Sequence, residues 1–188
     1  CRIELLARRG GEGMSEMNNP MLEPRIIKVT VNIGVGEGGD RLSLAQRVLE
    51  LLTGVKSVRT LGRQQNRDLK VRLGAPIGCK ATMRKSEDIK KFLKDAFWVR
   101  ENVIPAWNFD AQGNLSFGLR DYTEFPDQKY DPDIGIYGMD INVVLERPGH
   151  RVSRRRRCSS KVPISHRLTP AESMTWFKDN YGITIMEE

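Results

Sequence analysis

Ile26-Ile27-Lys28-Val29-Thr30-Val31-Asn32-Ile33 is the stretch that decides the fold class. Ile27, Val29, Val31 and Ile33 fall on one face of an extended chain, and Lys28, Thr30 and Asn32 on the other. A period of two with one apolar face marks a half-buried strand, because successive side chains of an extended backbone point to opposite sides. Two more alternating runs follow. Leu69, Val71 and Leu73 stand against Lys70 and Arg72; Ile77, Cys79, Ala81 and Met83 stand against Lys80, Thr82 and Arg84. Gly74-Ala75-Pro76 separates these two runs and predicts a hairpin between them. Leu115 to Arg120 and Met139 to Leu145 are further strand candidates.

Three helices fit between and after the strands. Asp40 is the expected cap of the first, Val48, Leu49 and Leu52 its inner residues, and Gly54 its end. Ser86 is the expected cap of the second. Its residues Ile89, Phe92, Leu93, Ala96 and Phe97 follow helical spacing, with Pro105 as the stop. Thr169-Pro170-Ala171-Glu172 opens the third with a capping box and a proline at the first position, and Gly182 ends it. Strands and helices do not alternate regularly. The pattern therefore reads as α+β, a mainly antiparallel sheet with helices on one face, plus a long basic loop and a C-terminal helix.

The 188 residues suit one domain with an extension, and an apolar fraction of 39% suffices for a core. Residues 24–188 are read as one α+β RNA-binding domain, with a basic segment at 147–167 and a C-terminal helix at 169–181. Residues 1–23 are expected to be a tail, disordered when free. Within it, residues 1–13 start at Cys1 and are read as translation from upstream of a natural start at Met14 or Met17. No stretch approaches the ~20 apolar residues of a membrane helix, so no membrane partner is expected. The cysteines Cys1, Cys79 and Cys158 are few and far apart, which suits a reduced cytosolic protein.

Arg147, Arg151, Arg154, Arg155, Arg156, Arg157, Lys161 and Arg167 crowd one segment that holds no Asp or Glu. These eight charges exceed the net +7 of the whole chain and leave −1 for the rest. Charge focused in this way repels itself and gains when phosphates neutralise it, so the segment is expected to meet a nucleic acid backbone. A solvated face and a nuclear address are the bland readings. Lys70, Arg72, Lys80 and Arg84 lie on the polar faces of the expected hairpin, which reads as a stiff basic finger. Lys28, Thr30 and Asn32 are placed to meet RNA backbone or 2′-hydroxyls from the first strand.

Gly34-Val35-Gly36-Glu37-Gly38-Gly39 matches a dinucleotide-binding turn, with Arg59 as a candidate partner for an NADP 2′-phosphate. Glu37 would set a carboxylate beside the diphosphate, and no catalytic constellation accompanies the motif. The alternative is a turn that needs positive φ. His150, Cys158 and His166 offer only three metal ligands among repelling cations. Asp121, Glu124, Asp127, Asp131 and Asp133 lack calcium-loop spacing. Cys79 lies on an apolar strand face and reads as core. Neither cofactor nor metal nor enzymatic activity is expected.

The run Lys28 to Glu37 resembles the opening strand and turn of the universal large-subunit ribosomal protein five, the 5S ribosomal RNA binder. Gly74-Ala75-Pro76-Ile77-Gly78-Cys79-Lys80-Ala81-Thr82-Met83-Arg84 resembles it with high specificity. Asn114 to Arg120, and Tyr130-Asp131 through Gly138-Met139-Asp140-Ile141, follow in the same order. The resemblance runs from about Pro20 to the C-terminus, and after Leu145 it is to the archaeal and eukaryotic branch. It implies a cytoplasmic ribosomal protein that joins 5S ribosomal RNA to the large-subunit RNA in the central protuberance. Neighbouring central-protuberance proteins, a small-subunit head protein and the P-site transfer RNA are the implied partners. Carried over, Thr30, Asn32, Gly34 and Gly36 lie at the 5S face with Arg63 and Gln64, and Lys28 beside them. A loop of Gly74, Ala75, Pro76, Ile77, Gly78 and Lys80 faces transfer RNA.

Overall fold

In a computed structural model, which describes residues 19–126 and 128–186, the opening strand is the centre of the molecule. This strand, β1 (Arg25–Gly34), lies in a five-stranded sheet. The order across it is β2 (Val58–Leu61), β3 (Pro76–Met83), β1, β6 (Met139–Glu146), β5 (Leu115–Leu119). Every neighbouring pair is antiparallel. The alternation puts Val29, Val31 and Ile33 of β1 on the buried side, with Cys79, Ala81 and Met83 of β3 and Ile141 and Val143 of β6.

Three helices cover that side. They are α1 (Asp40–Thr53), α2 (Ser86–Val99) and α4 (Pro170–Tyr181), separated by strands and a one-turn helix, α3 (Arg151–Arg154). Each brings apolar side chains to that side: Leu42, Ala45, Val48 and Leu49 from α1; Ile89, Phe92, Leu93, Ala96 and Phe97 from α2; the fully buried Phe177 from α4, with Met174, Trp176 and Tyr181 partly buried around it. Phe97 joins the layers, its ring centroid 5.5 Å from Phe117 of β5 and 6.3 Å from Phe177. The α+β class with helices on one face is as expected.

Local departures have physical causes. A bulge between Ile26 and Lys28 shifts the register against β6, so Ile26 rather than Ile27 packs on the core. Gly39, at φ 102°, caps α1, and Asp40 is its first residue, where a carboxylate suits the helix dipole. Lys85 precedes α2, so Ser86 is inside the helix. Pro105 does not stop α2. The helix ends at Val99, and Glu101 and Asn102, at φ 54° and 57°, turn the chain. Pro105 belongs to β4 (Val103–Pro105), which pairs in parallel with β7 (Thr184–Met186). The capping box of Thr169 and Glu172, Pro170 in the first turn and the left-handed Gly182 after α4 are as expected.

The expected hairpin is corrected. Leu69 to Leu73 form no strand, and Leu69 and Leu73 are 70% and 72% exposed. Both edges of β3 are already taken, by β1 and β2, so no edge remains for the run to pair with. Residues 62–75 instead fold into an arm. Asn66 and Val71 exchange two backbone hydrogen bonds, and the Asn66 side chain accepts from the amides of Asp68 and Leu69 at 3.0 and 3.3 Å. The loop Gly74 to Lys80 is corrected with it: Gly74 and Ala75 close the base of the arm, whereas Pro76, Ile77, Gly78 and Lys80 are in β3. Of the expected tail, residues 1–18 lie outside the described residues. Asn19 to Leu22 make a turn in which Leu22 N–H donates to Asn19 O at 2.8 Å.

Candidate nucleic-acid interface

The sheet side opposite the helices carries short polar side chains in registered rows. Lys80, Asn32, Asp140 and Gly118 stand side by side on β3, β1, β6 and β5. The next row is Thr82, Thr30, Asn142 and Ser116. Beyond these, Lys28 pairs with Val144, and towards the other end Thr60, Gly78 and Gly34 line up. All of these residues except Gly78 are partly or fully exposed. A face built from Gly, Ser, Thr and Asn is low and flat, and a helical backbone can approach it closely. Its cations are Lys28 and Lys80 and its acid is Asp140. Sequence reasoning found Lys28, Thr30, Asn32, Gly34 and Lys80 but missed Thr82, Ser116, Asp140 and Asn142. These sit at the alternate positions of the other strands, so their signal was the same alternation. The structure also brings Lys80 next to Asn32, which places on one surface two residues assigned to different partners.

The glycine turn sits at one end of this face. Gly36 and Gly39 have φ of 80° and 102°, values open to glycine. The amides of Val35 and Gly36 both donate to Ile77 O, at 3.0 and 2.8 Å. They are therefore committed to β3, not displayed to a diphosphate. The strand arrangement agrees: β1 and β2 run the same way, but β3 is inserted between them. A dinucleotide fold needs these strands adjacent. The arm, which carries Arg63, Gln64, Lys70 and Arg72, is rooted at this same end, because Leu61 pairs with Pro76 and Thr60 with Gly78.

The basic segment leaves from the opposite end, where Arg25 pairs with Glu146. Ten residues of β1 separate the ends by roughly 30 Å. Two acids flank the segment and neutralise part of it. Glu172 of the capping box pairs with Arg147 at 2.9 Å, and Arg147 also donates to Ser165 O at 3.3 Å. The Arg147 side chain is only 15% exposed, so its charge is committed inside the protein. Glu146 pairs with Arg154. Arg155 donates to Cys158 O at 2.8 Å and Arg167 to Val162 O at 3.4 Å, which hold the segment in shape and leave their charge outward. Arg151, Arg156, Arg157 and Lys161 are exposed and form no ion pair among the described residues. Arg84 is exposed just past the end of β3.

His166 and Cys79 are both engaged within the fold. The His166 ring nitrogen Nε2 is 2.7 Å from Pro148 O. Burial pushes the Cys79 thiol up to about 11, so it stays protonated. Among the described residues, no cluster of His, Cys, Asp or Glu is arranged to hold a metal ion, and no helix is long and apolar enough to cross a membrane.

Comparison with known proteins gives matches over most of the chain. Residues 19–72 match the family described as ribosomal protein L5, and residues 76–176 match the ribosomal L5P family C-terminus. The large ribosomal subunit protein uL5 of Thermoplasma acidophilum is 47% identical over 169 residues, 89% of this chain and 99% of that protein. The uL5 of Methanosphaera stadtmanae is 44% identical over 167 residues, again 89% and 99%. That of Sulfurisphaera tokodaii is 46% identical over 170 residues, 90% and 96%.

Proposed function

The chain belongs to the ribosomal protein L5 family, and on that premise we propose that its open sheet face binds 5S ribosomal RNA. As a member it is a structural constituent of the large ribosomal subunit in the cytoplasm, and not an enzyme. The observation that carries the proposal is the row Lys80, Asn32, Asp140, Gly118, flat, polar and uncovered beside a second row of Thr and Asn. Such a surface reads an RNA by shape, ribose hydroxyls and backbone, without chemistry. Lys28, Thr30, Asn32, Lys80, Gly34 and Gly36 form this face, with Arg63 and Gln64 at the root of the arm.

The basic segment takes large-subunit RNA at the other end of the sheet, through Arg151, Arg155, Arg156, Arg157, Lys161 and Arg167. One chain thereby ties two RNAs together in the central protuberance. The arm of residues 62–75 is the part we assign to P-site transfer RNA, with Gly74 and Ala75 at its base. Its exposed Leu69 and Leu73 and the cations Arg67, Lys70 and Arg72 support a role in contact rather than in the core. Contacts with neighbouring central-protuberance proteins and with a small-subunit head protein complete the proposed assembly.

The test is a gel-shift titration of the purified chain with 5S RNA and with a transfer RNA of similar charge. The 5S RNA should bind at least about tenfold tighter. Asn32→Ala should weaken 5S binding with little change in salt slope, since it removes an amide and no charge. Equal affinity for both RNAs would sink the assignment.

A further inference from the structure

On the helical side of the sheet a groove of about 410 Å³ opens between α2, α4 and the first residues of β1. Three cations line it: Arg25 from β1, and Lys90 and Lys94 from α2. Lys90 and Lys94 are one helical turn apart, so they stand one above the other on the same stripe. Trp176 and Tyr181 of α4 form the aromatic wall. Their centroids are 6.1 Å apart with ring planes at 56°. Trp176 meets Phe177 at 5.1 Å and Tyr181 meets Phe97 at 5.3 Å, so each ring is backed by the core while it lines the groove. Both rings are partly buried, whereas the three cations are exposed. No Asp or Glu among the described residues lines the groove.

A row of cations with no compensating acid attracts phosphate, and an aromatic wall beside it offers a surface for a base. The volume is within the ~300–1,000 Å³ of ligand-sized sites. An acidic peptide would use the cations but would leave the aromatic faces without a planar partner. The geometry points to a seat for one unpaired ribonucleotide, its base against Trp176 and Tyr181 and its flanking phosphates on Arg25, Lys90 and Lys94. The seat rests on the reading of the chain as an RNA binder. It faces away from the open sheet surface, so a single-stranded element of RNA would be held on the side opposite 5S RNA.

Trp176 supplies its own probe. Trp98 and Trp107, both exposed and outside the groove, are replaced by Phe in the full chain, which leaves Trp176 as the only indole. Pentaadenylate should then quench its emission saturably. Lys90→Gln with Lys94→Gln should weaken that binding about fivefold or more and lower the magnitude of its log–log salt slope by about 1.4, two single-strand phosphates. Both lysines are exposed, so the variant keeps its fold, and its affinity for 5S RNA should stay within about twofold. Saturation without quenching overturns the seat. So does equal quenching by pentaglutamate, which would make it an acidic-peptide site. A parallel loss of 5S binding overturns it too, since the groove would then be part of the sheet-face site. If the parent chain fails on 5S RNA while pentaadenylate still quenches Trp176, the sheet-face reading falls and the seat stands.

Discussion

Replacing Gly78 with Ala should destabilise the protein, although alanine is ordinarily the better residue outside special backbone conformations. Gly78 is in β3 between Gly34 of β1 and Thr60 of β2. A Cβ built there lies 2.7 Å from Ile33 O and 2.9 Å from Thr60 Oγ1. Thr60 can rotate away, but Ile33 O belongs to the backbone of the central strand. Restoring ordinary contact at 3.4 Å requires β3 to move about 0.7 Å from β1, against the hydrogen bonds that pair them. Overpacking of this kind costs about 1–3 kcal/mol. The reduced entropy of the unfolded chain returns about 0.4–1 kcal/mol. The net loss of about 1–2 kcal/mol corresponds to a fall in Tm of roughly 2–8 °C for a chain of this size.

Gly118 is the internal control. It also lies on the open face, but a Cβ there meets Asp140 Oδ1 at 3.5 Å and Met139 O at 3.9 Å, both ordinary contacts. Gly118→Ala should therefore change stability by under about 0.5 kcal/mol. Thermal melts followed by circular dichroism, with urea titrations beside them, measure both variants. Gly78→Ala melting within a degree or so of the parent would refute the close-approach argument. So would an equal fall for Gly118→Ala. The same result decides whether Gly78 is a strand residue or part of a solvated loop, where the substitution would be harmless.

Replacing Arg154, Arg155, Arg156 and Arg157 together with Gln should weaken binding to large-subunit RNA and flatten its salt dependence by at most about 0.9 per phosphate released. Because Arg154 is paired with Glu146, fewer than four contacts should vanish, and circular dichroism should show little change in melting. Glu172→Ala removes half of the capping box and the partner of the mostly buried Arg147; a loss of about 1–2 kcal/mol in urea titration is expected, and a neutral result would discount that ion pair. At pH 8, iodoacetamide should label exposed Cys158 in the native chain and reach Cys79 only on unfolding, as peptide mass spectrometry would show; rapid native labelling of Cys79 would contradict its buried, protonated thiol.

The legible parts of the fold were those set by local pattern. The alternation from Val29 to Ile33, the helical spacing from Ile89 to Phe97 and the cap at Thr169 each state their structure within a few residues. Leu69 to Leu73 alternate just as well, yet alternation says nothing of whether a neighbouring edge is available, and β1 and β2 had already occupied both edges of β3. The bulge at Ile26 and Lys28 has the same character, since it depends on the register against a strand far along the chain. The candidate site was legible one strand at a time. That Lys80 stands beside Asn32, or that Arg147 is held by Glu172, follows only from pairing and packing across distant segments. The groove on α2 and α4 left a trace as well, in Lys90 and Lys94 one turn apart, but the aromatic wall comes from another helix.

Charge is distributed unevenly around the sheet, and under the proposed reading this has a consequence for what the face can accept. Asp140 stands in the row with Asn32, so a phosphate laid directly on that row would be repelled. Lys80 on one side and Lys28 one row beyond Thr30 would instead draw phosphates to flanking positions. A group that donates hydrogen bonds suits the place beside Asp140, and a ribose 2′-hydroxyl does so where DNA has none. An A-form helix laid across the rows with its shallow minor groove over Asn32 and Asp140 would set 2′-hydroxyls there and its phosphates near the two lysines. Asp140→Asn keeps the shape and removes the repulsion. It should therefore raise affinity for a DNA duplex of the same sequence more than for the RNA duplex, narrowing the preference between them. A competition titration of the two duplexes measures this, and a preference left unchanged by Asp140→Asn would show that the carboxylate takes no part in the discrimination.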